Sequence, residues 1–67
     1  MDKNWVKVYA HNQSYYTELV KAVLHDNGIE SVIINKKDNA YLFGEVELYT
    51  HVENAFTAKQ IIEKNKL

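Results

Sequence analysis

The stretch NKKDNAYLFGEVELYT, Asn35 to Thr50, opens as a polar turn and closes as a strand. Its last part alternates: Val46 and Leu48 point one way, Glu45, Glu47 and Tyr49 the other, the period of a sheet with one buried face. Just before it, Glu30-Ser31-Val32-Ile33-Ile34-Asn35 is rich in branched residues and reads as a second strand. Two strands joined by so short a turn pair antiparallel, and that pairing decides the fold. Three successive apolar residues leave open which parity of the second strand faces the core. The connection carries Tyr41, Leu42 and Phe43 where polar residues are usual. Either one or two of them close the end of the core, with Gly44 permitting the re-entry, or the loop is presented to a partner, and both hold together if Phe43 closes the core while Tyr41 and Leu42 stand near the rim of such a contact.

Working outward, Trp5-Val6-Lys7-Val8-Tyr9-Ala10 alternates as a first strand, with Val6, Val8 and Ala10 on one face and Trp5, Lys7 and Tyr9 on the other. From Ser14 to Asn27 the apolar residues Tyr16, Leu19, Val20, Val23 and Leu24 fall at helical spacing. Asn12 or Ser14 is a candidate cap for the start of that helix, and Gly28 a left-handed stop. Thr50-His51-Val52-Glu53 matches a capping box, and Ala55, Phe56, Ala58, Lys59, Ile61 and Ile62 continue as a second helix.

The order β-α-β-β-α in 67 residues predicts one α+β domain spanning 1–67. This is the ferredoxin-like plan without its last strand: a three-stranded sheet in spatial order 1-3-2 with both helices on one face. The other face is then uncovered and gathers Trp5, Lys7, Tyr9 and Tyr49 beside Glu45 and Glu47. That face is too aromatic for an ordinary wet surface. It supports cross-strand pairing, Lys7 with Glu47, or a buried protein contact.

A chain of this length buries only about 60% of the surface its unfolded form exposes, so the core is thin. No cysteine supplements it, and association is a common remedy. A homodimer covering the aromatic face, the free edge of the first strand, or both is expected. The net charge of −1 offers no case for nucleic acid or an anionic membrane. No apolar run is long enough to span a membrane and the start lacks a signal-peptide core, so a cytoplasmic protein is expected.

The aromatic face raises single-stranded RNA binding as an alternative, because RNA-recognition domains stack bases on such a face. Phe43-Gly44-Glu45-Val46-Glu47-Leu48 keeps an aromatic, the glycine and the valine of that pattern, but sets Glu45 and Leu48 where stacking aromatics belong. A further alternative is a small-ligand sensor with its site at a subunit interface. His11, His25 and His51 show no metal-ligand spacing, with His25 suited to a helix C-terminus and His51 to a first helical turn. Ser14 and Ser31 lack a neighbouring His and acid, and no glycine-rich phosphate loop exists. A non-enzymatic module needing no metal or cofactor is expected. A domain this small also rarely encloses a pocket of a few hundred Å³.

The run LVKAVLHDNGIESVIINK, Leu19 to Lys36, followed by FGEVELYTH, Phe43 to His51, and a short terminal helix resembles a family of small bacterial domains of unknown function described as prokaryotic signal-transducing proteins. The resemblance spans Trp5 to about Ile62. It implies a regulatory role and a distant, PII-like fold, that of the nitrogen-regulatory PII proteins. Their effector loop joins the second and third strands, where this chain has only Lys36 to Phe43. No residue matches the PII nucleotide-binding motifs, so nothing of that site is carried over.

Overall fold

The computed structural model describes residues 4–37 and 44–67. The expectations for Tyr41, Leu42 and Phe43 lie outside the described residues. The described chain forms β1 (Trp5–His11), α1 (Ser14–Asp26), β2 (Ser31–Asn35), β3 (Val46–His51) and α2 (Val52–Lys64). β3 is central and antiparallel to both neighbours, giving the order β1-β3-β2 that the sequence predicts. Val46, Leu48 and Thr50 are buried beneath the helices, and Leu48 joins Val20, Leu24, Ile29 and Ala58 in one cluster. Ile33, Ile61, Ile62 and Leu67 pack around it.

β1 departs from simple alternation. Lys7 pairs with Tyr49 but Tyr9 pairs with Leu48, so Val8 is an extra residue, a β-bulge. The inserted residue reverses the parity beyond it. Val8 and Tyr9 therefore both pack on the core, whereas Ala10 pairs with Glu47 on the uncovered side. Tyr9 does not belong to the aromatic open face, and Ala10 does not belong to the core side. The open parity of β2 resolves as well: Ile33 pairs with Leu48 toward the helices, while Val32 and Ile34 pair with Tyr49 and Glu47 on the open side.

The helices sit on the sheet through fewer apolar residues than their spacing suggests. In α1 the buried residues are Thr17, Val20 and Leu24. Thr17 Oγ1 donates a 2.9 Å hydrogen bond to the Val46 carbonyl, anchoring the helix start to the central strand. Tyr16 and Leu19 lie on one flank of that stripe and are exposed. In α2 the stripe centres on Ala58, and Phe56, two residues or about 200° around the helix, is 73% exposed. The expected caps are not used: Gln13 and His51 stand at the two N-cap positions without a side-chain cap bond. Thr50 cannot cap α2 because it is a fully buried ladder residue, paired with Val6 and Ser31.

Both helices stop by the same device. After α1, Gly28 N–H donates to His25 C=O and Ile29 N–H to Leu24 C=O, with Gly28 at φ +77. After α2, Lys66 N–H donates to Glu63 C=O and Leu67 N–H to Ile62 C=O, with Lys66 at φ +57. This is the Schellman arrangement, and in each case the residue after the left-handed position, Ile29 or Leu67, returns to the core.

Candidate functional site

The uncovered face of the sheet is built from three strands. β1 contributes Trp5, Lys7 and Ala10, β3 contributes Glu47, Tyr49 and His51, and β2 contributes Val32 and Ile34. At its centre Glu47 is only 8% exposed although no described helix or strand lies above it. Side chains of the same face cover it. Tyr49 Oη donates a 2.8 Å hydrogen bond to Glu47 Oε1, Lys36 Nζ lies 3.3 Å from the same oxygen, and Lys7 Nζ lies 3.4 Å from Oε2. The Lys7–Glu47 pair expected from alternation is thus formed, with Lys36 and Tyr49 completing it.

This arrangement holds the Glu47 carboxyl below the usual carboxylate range, chiefly through the Tyr49 hydroxyl, with Lys36 and Lys7 acting in the same sense against the effect of burial. The Lys36 ammonium is correspondingly held above the ordinary lysine value by its bond to Glu47. The Glu47 charge is met within the face. Around it lies a half-buried apolar rim of Trp5, Val32, Ile34 and Tyr49. Trp5 rests on His51 with ring centroids 4.0 Å apart, so His51 is a half-buried strand residue and not a solvated first-turn residue of α2.

Of the residues expected on this face, Trp5, Lys7 and Tyr49 are brought together. Tyr9 instead joins an aromatic row on the helix side: its ring stacks at 6.5 Å on His11, which lies 4.4 Å from Tyr16, which meets Tyr15 edge-on at 5.3 Å. Burial, then the nearby Tyr16, raises the Tyr9 phenol above its ordinary value. Sequence reading missed Lys36 as a member of the face, because its reach to Glu47 depends on how β2 leaves the sheet. It also missed an open groove of 740 Å³ between α1 and the outer edge of β2, lined by residues from Glu18 to Ile33. A sizeable concavity exists after all, open and not enclosed. Among the described residues no cluster of His, Asp or Glu could hold a metal ion, and no helix is long and apolar enough to cross a membrane.

No protein-family model, curated protein or solved structure matches the chain.

Proposed function

We propose that this chain is a non-enzymatic interaction module of the cytoplasm that self-associates through the uncovered sheet face. The observation that carries the reading is the state of Glu47. The Glu47 carboxylate, already satisfied by Tyr49, Lys36 and Lys7, can be covered by a partner without itself being left unpaired, while the half-exposed lysine heads stay at the solvated margin. The apolar rim then supplies the driving force. An aromatic such as Trp5 or Tyr49 buries about 150 Å² or more when covered, at about 25 cal/mol per Å². The Cα extents of 35 × 27 × 15 Å describe a slab whose broad side is large enough for a standard interface of about 800 Å² per partner. The free edge of β1 is a weaker route, because the bulge at Val8 interrupts its regular pairing. Two of the lysines that could meet phosphate are committed to Glu47, which speaks against RNA. The regulatory part of this reading comes from the resemblance to small bacterial signal-transducing domains.

Sedimentation velocity at tens of micromolar tests it. The wild type is expected to sediment as a dimer, and Trp5→Lys and Val32→Lys as folded monomers by circular dichroism. A monomeric wild type, or dimers indifferent to both substitutions, would overturn it.

A further inference from the structure

The groove between α1 and β2 lies on the other border of the molecule, and three independent features of it converge. The first is a strand edge that no strand pairs among the described residues. Lys36 N–H donates to Glu45 C=O, which makes that pair a hydrogen-bonded one. In an antiparallel ladder such pairs alternate, so Ile34 and Val32 also direct their backbone groups toward β3. The N–H and C=O groups of Ser31, Ile33 and Asn35 therefore face outward. Unlike β1, β2 keeps unbroken register along its length, so this edge is fit to accept another strand.

The second feature is a hydroxyl. Ser31 lines the groove, is 8% exposed, and its Oγ has no hydrogen-bond partner among the described residues. Such burial is a cost that a polar group entering the groove would remove. The third is charge: Glu18, Asp26 and Glu30 line the groove against Lys21, with His25 beside them. Three carboxylates against one lysine leave an excess of two negative charges. A second copy presenting the same groove would bring like charges together, whereas a basic segment is complementary.

We propose that this groove binds an extended peptide segment that adds a strand to β2 through Ser31, Ile33 and Asn35 and sets a lysine or arginine side chain among Glu18, Asp26 and Glu30. Side chains alternate along an added strand, so the residue beside Ile33 on the helix side enters the groove under α1 while its neighbours join the open face. Ala22, Ile29 and Ile33 offer apolar surface for the stem of a long basic side chain, and the carboxylates at the rim meet its head.

The test uses the full ¹⁵N-labelled chain and three capped heptapeptides of alternating Val and Thr. One carries a central Lys, one a central Glu, and the third is the Lys peptide N-methylated at the amides that would face β2. The Lys peptide is expected to shift the Ser31 and Ile33 amide resonances and slow their hydrogen exchange. The Glu and N-methylated peptides should bind at least about tenfold more weakly. A Glu18→Gln, Glu30→Gln double variant, altered only at exposed positions, should lose the preference for Lys over Glu. No perturbation of Ser31 and Ile33 at millimolar Lys peptide, equal binding of all three peptides, or the same shifts produced by n-butylamine alone would overturn the proposal. The last result would mark a small-amine site instead.

Discussion

Tyr49 and Glu47, two residues apart on β3, point to the same side of the sheet, and the Tyr49 hydroxyl donates to Glu47 Oε1 at 2.8 Å. Because this bond leads the lowering of the Glu47 carboxyl, the folded state binds its proton less readily than the unfolded chain. Its contribution to stability is complete above the ordinary carboxyl value of about 4.3 and is lost as pH falls through the lower folded value. Tyr49→Phe should cost about 1 to 2 kcal/mol at neutral pH and move the Glu47 carboxyl upward, read by carbon-detected titration. An unmoved carboxyl would show that the lysines alone hold it.

Thr17→Val should cost about 1 to 2 kcal/mol in urea unfolding, because it replaces a fully buried hydroxyl by a methyl and leaves the Val46 carbonyl without that donor. Thr17→Ser, which keeps the donor, should lose clearly less. Equal losses would assign the effect to packing instead.

Ser31→Ala should act in the opposite sense. Its hydroxyl is buried without a partner among the described residues, so removing it should stabilise the free chain by about 1 kcal/mol. A loss in the melting temperature would reveal a bound water or other partner at that oxygen.

The left-handed positions order themselves by space as well as by φ. Gly28→Ala meets no atom within 4 Å and should cost only the conformational penalty of about 1 kcal/mol. Gly44→Ala, at φ +99, would also drive its Cβ into the Lys36 carbonyl and should cost more. Lys66→Gly, which relieves a side chain held at φ +57, should gain about 1 kcal/mol. Thermal denaturation of the three variants orders them directly.

Helix count and the inward parity of Val46 and Leu48 were legible because each rests on local periodicity, and the strand order followed from the order of the elements along the chain. The Gly28 stop was legible from residue type, since a left-handed position after a helix favours glycine. The placement of Tyr9 was not, since a bulge is a property of two paired strands and nothing in Trp5 to His11 alone marks Val8 as the inserted residue. Thr50 matched a capping pattern equally well from sequence, but pairing with Val6 and Ser31 made it a strand residue and moved the start of α2 to Val52. Trp5, Lys7 and Tyr49 could be grouped from alternation, whereas Lys36 and the groove beside Ser31 depend on the directions in which β2 leaves the sheet and α1 crosses it.

The chain has one tryptophan, and it lies on the uncovered face against His51. Its indole is half-buried there. Exclusion of water from the same indole shifts its emission to shorter wavelength. The protein therefore carries an intrinsic optical probe, read in the colour of its emission, that distinguishes a bare face from an occupied one without any label.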